Sequence, residues 1–120
     1  MELACNIKGQ VSELYASIYL IKQGYQVFFN ISGKGPIDLV AVKDNETRFI
    51  DVKSAYVHFD SKGRLKINNH NPSNKQQSLH VEILYVAPTG ECTFSVDGLL
   101  SELTSKKSMG FKPSLKALYG

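Results

Sequence analysis

The stretch from Pro36 to Lys53, PIDLVAVKDNETRFIDVK, places two apolar runs on either side of a short polar segment. Both runs are rich in β-branched residues, which predicts two strands, about Ile37 to Val42 and Thr47 to Tyr56. The segment from Lys43 to Glu46 is short enough to be a tight turn. The stretch therefore predicts an antiparallel hairpin, and this hairpin fixes where its charged residues lie.

Charged residues interrupt both predicted strands. Side chains alternate between the two faces of a strand, so Asp51 and Lys53 project to one side while Val52 packs on the other. Asp38 opens the neighbouring strand and is expected to lie beside Asp51. Two carboxylates and an ammonium that converge are costly unless a cation or a phosphate compensates them. The pattern therefore indicates a site that binds one of these.

These residues resemble the two half-motifs of the PD-(D/E)XK nuclease superfamily, Pro36-Ile37-Asp38 and Asp51-Val52-Lys53. The likeness extends upstream to Lys8-Gly9-Gln10 and Glu13 on the first predicted helix, as in the Holliday junction resolvases and small homing endonucleases of that superfamily. The resemblance implies an α/β fold with a restriction-endonuclease-like core, in which a central mixed β-sheet is flanked by helices.

The same resemblance implies a magnesium-dependent DNA endonuclease, either site-specific like homing enzymes or structure-specific like junction-resolving ones. Asp38 and Asp51 would give carboxylate oxygens to Mg²⁺, for which Mn²⁺ would substitute, and the backbone carbonyl of Val52 would be a further ligand. Lys53 would stabilise charge on the phosphate or position the attacking water. The resemblance also adds Glu13 to the metal site, although a helical glutamate is by composition most often solvated surface.

The Asp-x-Lys spacing occurs a second time, at Asp60-Ser61-Lys62. This copy lies in a polar stretch with Gly63, which predicts a hairpin turn. Phe49 to Lys53, in contrast, carries its charges inside a segment that otherwise favours burial. Context therefore selects the first copy, with an exposed cross-strand pair on a sheet edge as the alternative interpretation of Asp51 and Lys53.

An amphipathic helix is predicted from about Lys8 to Gln23, ended by Gly24. Its apolar stripe consists of Val11, Leu14, Tyr15, Ile18 and Ile21.

Weaker patterns predict the remaining elements. These are strands at Tyr25 to Ile31, Val81 to Ala87 and Cys92 to Val96, a hairpin or flap at His58 to Asn69, a short helix capped by Ser73 that runs through Gln77, and a helix capped by Asp97 that contains Leu99, Leu100 and Leu103.

Polar residues outside the two half-motifs are candidates for contacts with DNA. Lysine and arginine contacts to phosphates would give an affinity that depends on salt and not on sequence. The predicted DNA-binding residues are Lys8, Gln10, Lys34, Lys62, Arg64, Lys66, Lys75 and Gln76.

Length and composition are compatible with this prediction. At 120 residues the chain is expected to be one domain, and its net charge of +3 favours a polyanionic partner without distinguishing a DNA binder. Cys5 and Cys92 form neither a metal spacing nor a disulfide framework, so a reducing compartment is expected. Without a basic leader or an apolar run of ~20 residues, the protein is expected to be soluble, cytoplasmic and free of membrane contacts.

Three further expectations concern partners and competing functions. A chain with one active site cuts one strand, so cleavage of both strands or of a junction predicts a homodimer or homotetramer.

The competing functions are a non-catalytic DNA-binding or assembly module that retains the fold, and an unrelated enzyme acting on a small phosphorylated substrate. Against the second, Gly33-Lys34-Gly35-Pro36 precedes a strand, where a phosphate-binding loop would precede a helix. The histidines lack the spacing of a zinc site.

Overall fold

The predicted hairpin lies at the centre of the sheet. A computed structural model describes residues 5–67 and 70–95 of the chain. In chain order its elements are α1 (Cys5–Lys22), β1 (Gln26–Phe29), β2 (Leu39–Lys43), β3 (Glu46–Ser54), β4 (Val57–Phe59), β5 (Leu65–Ile67), α2 (Asn74–Ser78), β6 (Val81–Val86) and β7 (Cys92–Thr93).

Five of these strands form one mixed sheet in the order β1-β2-β3-β6-β7. β3 pairs with β6 in parallel, and the other neighbours are antiparallel. The parallel pair requires a crossover, which the chain makes through the two-stranded ribbon β4–β5 and α2. The predicted architecture, a central mixed sheet flanked by helices, is confirmed.

The core lies between α1 and one face of the central strands. Side chains alternate between the two faces of each strand, and the apolar side chains on the face towards α1 form this core. Its members are Ala16 and Leu20 of α1, Tyr25 just before β1, Leu39 and Ala41 of β2, Ile50 of β3, and Leu84 and Val86 of β6. Val52 packs against this cluster from β3, as predicted.

The helix α1 packs through a face that the apolar stripe did not predict. Leu14, Ile18 and Ile21 are 57%, 49% and 57% exposed, whereas Ser12 and Ala16 are buried. Small side chains let the helix backbone approach the sheet closely, and the Ser12 hydroxyl is satisfied by a hydrogen bond of 2.6 Å to the Ser54 hydroxyl on β3. The predicted core stripe is therefore wrong, because close approach and a hydrogen bond outweighed side-chain hydrophobicity.

Gly24 ends α1 as predicted. Its φ of +95° is left-handed, a conformation that glycine adopts at little cost. Its N–H donates to the carbonyl of Ile21 at 2.9 Å, and the N–H of Tyr25 donates to that of Leu20 at 3.1 Å. The start of the helix lies at Cys5, earlier than predicted.

The other elements differ from the prediction mainly at their ends. β1 and β7 are shorter than the runs that predicted them, and β2 begins after Asp38. Ser73 caps α2, as predicted. Its side chain accepts a hydrogen bond from the Gln76 N–H, and the Gln76 side chain accepts one from the Ser73 N–H. The predicted helix from Asp97 lies outside the described residues. In the described part of the chain, neither helix is long and apolar enough to cross a membrane.

Candidate active site

The hairpin register places Asp38 and Asp51 side by side. Leu39 is opposite Ile50, and the Asp38 N–H extends this pairing by donating to the Ile50 carbonyl at 2.8 Å. The Asp38 carboxylate turns back onto β3, where its Oδ2 accepts a hydrogen bond of 2.8 Å from the Val52 N–H. Asp51 is only 6% exposed. Two acidic side chains therefore share a partly desolvated site at the start of β2.

Crowding of these carboxyl groups changes the protonation of Asp38. Burial and a hydrogen bond to the Asp51 carboxyl raise the pKa of Asp38 from 3.8 to about 6, with the negative charges of Asp51 and Glu13 adding to the rise. The hydrogen bond from Val52 lowers the pKa and only partly offsets this. The pair therefore favours either a shared proton or a bound cation.

Lys53 is the cation that the chain itself supplies. Its Nζ lies 3.4 Å from Asp51 Oδ2, and both side chains project to the sheet face opposite Val52. Within the described residues, this Asp51 oxygen is buried and makes no hydrogen bond. A buried carboxylate oxygen without a hydrogen bond is costly, so Lys53 compensates the pair incompletely.

Glu13 is close enough to interact electrostatically with this pair. It lies half-buried on α1, and burial followed by the charge of Asp51 raises its pKa. Its helix packs on the opposite face of the sheet from Asp51. In residues 5–67 and 70–95, no three His, Cys, Asp or Glu side chains lie close enough together to hold a metal ion. The structure thus brings Asp38, Asp51 and Lys53 together and leaves Glu13 beside them.

The donor set fits a hard divalent cation held by two carboxylates. Mg²⁺ and Mn²⁺ prefer carboxylate oxygens and keep several waters, so a site with two protein carboxylates is sufficient. The Asp51 oxygen that lacks a hydrogen bond and the raised pKa of Asp38 both point to missing positive charge. Coordination by the Val52 carbonyl and by Glu13 remains a prediction.

The loop that carries Asp38 is held on both sides by side-chain amides. Asn30 Nδ2 donates to the carbonyls of Lys34 at 2.7 Å and Ile37 at 2.9 Å. Gln76 Nε2 donates to the carbonyl of Pro36 at 3.1 Å, which ties α2 to the same loop. Gln76 was predicted to contact DNA, and here its amide positions the Asp38 loop. Asn30 was not predicted, and its only sequence signal was an asparagine next to a glycine-rich turn.

A second residue that stabilises the surroundings of the site is Tyr85, which lies next to Lys53 in the sheet. Tyr85 is the register partner of Lys53 on β6, and its hydroxyl donates to the His70 carbonyl at 3.1 Å and accepts from the His70 N–H at 3.0 Å. These bonds fix the segment after the ribbon against the sheet. Sequence reasoning missed Tyr85 because its strand was taken as purely apolar.

The predicted DNA-contacting cations are exposed but spread over several elements. Three of them lie on the β4–β5 ribbon, which gives the described chain its densest positive segment. Lys8 and Gln10 lie on α1, Lys34 in the loop before β2, Lys62, Arg64 and Lys66 on the ribbon, and Lys75 on α2.

The second Asp-x-Lys copy forms the predicted hairpin turn. Asp60 Oδ1 accepts from the N–H groups of Lys62 at 2.9 Å and Arg64 at 2.8 Å. Its Oδ2 lies 2.8 Å from Arg64 Nε. These bonds lower the pKa of Asp60, with the Arg64 N–H contributing most. All of its interactions serve the turn.

Comparisons with known proteins agree with this fold. No family model matches the chain. A UPF0102 protein of Sulfurimonas denitrificans (strain ATCC 33889 / DSM 1251) is 34% identical over 89 residues, which cover 67% of this chain and 82% of the relative. A UPF0102 protein of Natranaerobius thermophilus is 42% identical over 50 residues, which cover 39% of this chain and 42% of that relative.

One solved structure is similar as a whole fold. The bacterial homing endonuclease I-Ssp6803I superposes with a TM-score of 0.56 at 18% identity, over 84% of this chain and 71% of that one. At this identity the likeness concerns the fold alone. It confirms the restriction-endonuclease-like core.

Proposed function

This chain belongs to the UPF0102 family, and we propose that it is a magnesium-dependent DNA endonuclease. Family membership and the shared fold confirm its relationship to the PD-(D/E)XK nuclease superfamily. The proposed activity is hydrolysis of phosphodiester bonds, in a site-specific or a structure-specific mode.

The observation that carries the proposal is the incompletely compensated pair Asp38 and Asp51 beside Lys53. A pair of carboxylates that only packs a sheet would be expected to have hydrogen bonds for each buried oxygen. Here one buried oxygen of Asp51 has none in the described part of the chain, and the pKa of Asp38 rises to about 6. A divalent cation held by these two residues would remove both penalties. When bound, it would supply positive charge to the phosphate and lower the pKa of a bound water.

The residues of the chain itself would divide the remaining tasks. The Val52 N–H holds the Asp38 carboxylate in place. Lys53, whose side chain is 41% exposed, can reach a phosphate oxygen in the solvent-facing part of the site. Glu13 adds negative charge nearby, which would increase the affinity of the site for a cation.

DNA as the substrate is supported by the fold and by the distribution of charge. The net charge of +3 includes the three cations on the β4–β5 ribbon, which follows directly after the strand that carries Asp51 and Lys53. A phosphodiester backbone at the site would therefore pass along a basic ribbon.

A plasmid-nicking assay tests the activity. Supercoiled plasmid incubated with the protein and Mg²⁺ or Mn²⁺ should become relaxed or linear, and excess EDTA should prevent this. Ca²⁺ should allow binding but not cleavage, because it accepts longer and less regular coordination. Binding of the plasmid with no nicking in any metal would favour the non-catalytic module and contradict the proposal.

A further inference from the structure

Two aromatic rings stack at the base of the β4–β5 ribbon. Tyr56 and His58 have ring centroids 5.7 Å apart and an interplanar angle of 27°. Tyr56 follows Lys53 by three residues, so the chain between their Cα atoms spans at most about 10 Å. This distance corresponds to a few nucleotides along a DNA strand. The stack is therefore within reach of a strand bound at Lys53.

The Tyr56 ring remains accessible although it is stacked. The residue is 55% exposed, and Phe59, at the end of β4, is 39% exposed. His58 is half-buried, and its Nδ1 is buried without a hydrogen bond to any described residue. The His58 ring therefore stacks on Tyr56 without a hydrogen bond at Nδ1 in the described part of the chain. The His58 ring stacks against Tyr56, whose exposure is 55%.

The ribbon that follows Tyr56 is rich in cations, and Lys66 is the register partner of His58. Residues 57–67 contain the cations Lys62, Arg64 and Lys66 and the single anion Asp60. Exposed aromatic rings beside cations that contact the backbone are the combination by which proteins hold single-stranded nucleic acid. A purely structural stack would need neither the exposure of Tyr56 nor the neighbouring cations.

We propose that Tyr56 is a stacking platform for an unpaired base next to the scissile phosphate, so that DNA containing unpaired nucleotides is the preferred substrate class. The inference rests on the proposed endonuclease function. In a continuous duplex each base face is covered by its neighbours, so an exposed ring finds no partner there. At a gap, a flap or a branch, bases are free to stack on Tyr56.

Fluorescence anisotropy tests the inference without cleavage. The 120-residue chain carrying Asp51→Asn, which excludes strand cleavage from the readout, is titrated against a short duplex and against the same duplex with a single-stranded gap. Tyr56→Ala is added to this parent and compared with Tyr56→Phe, which keeps the ring. Phe28→Ala is the matched control. Phe28 is also an exposed aromatic residue, at 49%, but it lies on the edge strand β1, which β2 and β3 separate from β6.

The parent should bind the gapped DNA more tightly than the duplex. Tyr56→Ala should weaken binding of the gapped DNA by roughly 5- to 100-fold and leave binding of the duplex nearly unchanged. Tyr56→Phe and Phe28→Ala should match the parent. The dependence of affinity on salt should stay the same in Tyr56→Ala, since no phosphate contact is lost, whereas Lys62→Ala should reduce it.

Two results would overturn the inference in distinguishable ways. If the parent binds both DNAs but Tyr56→Ala affects neither, or weakens both equally, the stacking platform is excluded and the endonuclease proposal stands. If the parent binds neither DNA, both proposals fail together. Thermal melting of Tyr56→Ala separates loss of a binding ring from loss of the ribbon's fold.

Discussion

Asp38 links the electrostatics of the site to the stability of the fold. Its pKa is 3.8 ordinarily and about 6 in the folded protein, because burial and the Asp51 carboxyl oppose its ionisation. Between these values the folded state binds more protons than the unfolded state, so stability falls as pH rises through this window. The penalty is fully present above about pH 6 and absent below the ordinary value.

Asp38→Asn should therefore stabilise the metal-free protein at neutral pH. The asparagine oxygen can still accept the hydrogen bond from Val52, while the charge beside Asp51 is removed. In EDTA, the melting temperature of the variant should exceed that of the wild type at neutral pH. The difference should shrink as the pH falls below about 6. A variant that is less stable at neutral pH, or a difference that is the same at every pH, would contradict this account.

Glu13→Gln tests the electrostatic contribution of α1. Because the negative charge of Glu13 interacts with Asp51, its loss should weaken the affinity of the site for a cation and leave the chemical step intact. The cleavage rate should fall at low Mg²⁺ and recover at high Mg²⁺ or with Mn²⁺, with an apparent metal affinity lower by about 10- to 100-fold. Glu46→Gln, at an exposed position on β3, is the control. An identical metal dependence in both variants would exclude Glu13 from the site.

At the residue scale, alternation along a strand was enough to place Asp51 and Lys53 on one face. The apolar residues that flank Asp51 and Lys53 also distinguished them from the Asp60 copy, which lies in a turn. The contact of Gln76 with DNA stays a prediction, and the structure adds a hydrogen bond from its amide to the Pro36 carbonyl. The amide of a glutamine is equally suited to DNA or to a loop carbonyl, and the contact with the loop depends on the tertiary position of α2 next to Pro36.

At the scale of elements, α1 shows why helix existence is easier to predict than helix orientation. Its ends follow from local signals, above all Gly24. The face it buries depends on the sheet, and it combines the small residues Ser12, Ala16 and Ser17 with Leu20. Hydrophobicity alone therefore indicated the wrong face.

The turn between β6 and β7 makes a close contact with α1 that can be tested. A Cβ at Gly90 would lie 2.7 Å from the Tyr15 ring, and the residue has a φ of +96°. Gly33 has a φ of +68° and open space around it, so Gly33→Ala reports the backbone strain alone. Gly90→Ala should lower the free energy of unfolding by about 1–3 kcal/mol more than Gly33→Ala.

Chemical denaturation measures both changes. Adding Tyr15→Ala to Gly90→Ala should recover most of the excess loss, because the clash disappears. Equal losses in the two alanine variants, or no recovery with Tyr15→Ala, would show that the turn and the helix are not in contact.

At the scale of the whole molecule, the topology of the sheet depends on pairings that are distant in sequence. The hairpin β2–β3 was predictable because a tight turn joins its strands. The parallel pairing of β3 with β6 spans the ribbon and α2, and no local pattern specifies it. The mixed sheet was nevertheless expected from the resemblance to the nuclease superfamily.

Assembly is a prediction at the same scale. Under the proposed function, one carboxylate pair would cut one strand, so we expect a homodimer or homotetramer when both strands are cut. Four apolar side chains that lie three, four or seven positions apart along α1 are exposed and form a candidate interface between subunits: Ile7, Leu14, Ile18 and Ile21. Sedimentation velocity should show an oligomer that Ile18→Lys converts to a monomer, while Ile31→Lys in the loop after β1 does not. A monomeric wild type, free and on DNA, would contradict the prediction.

The most direct test of the central claim compares the aspartates of the two Asp-x-Lys copies, Asp51 and Asp60. Wild type, Asp51→Asn and Asp60→Asn are purified identically, shown to be folded by circular dichroism, and assayed for nicking of supercoiled plasmid with Mg²⁺. Asp51 lies in the buried pair beside Lys53, whereas Asp60 serves a hairpin turn. Asp51→Asn should lower the rate by roughly a hundredfold or more, and Asp60→Asn should stay within a few-fold of wild type. Equal rates in the two variants, or loss of cleavage only in Asp60→Asn, would contradict the assignment of the site.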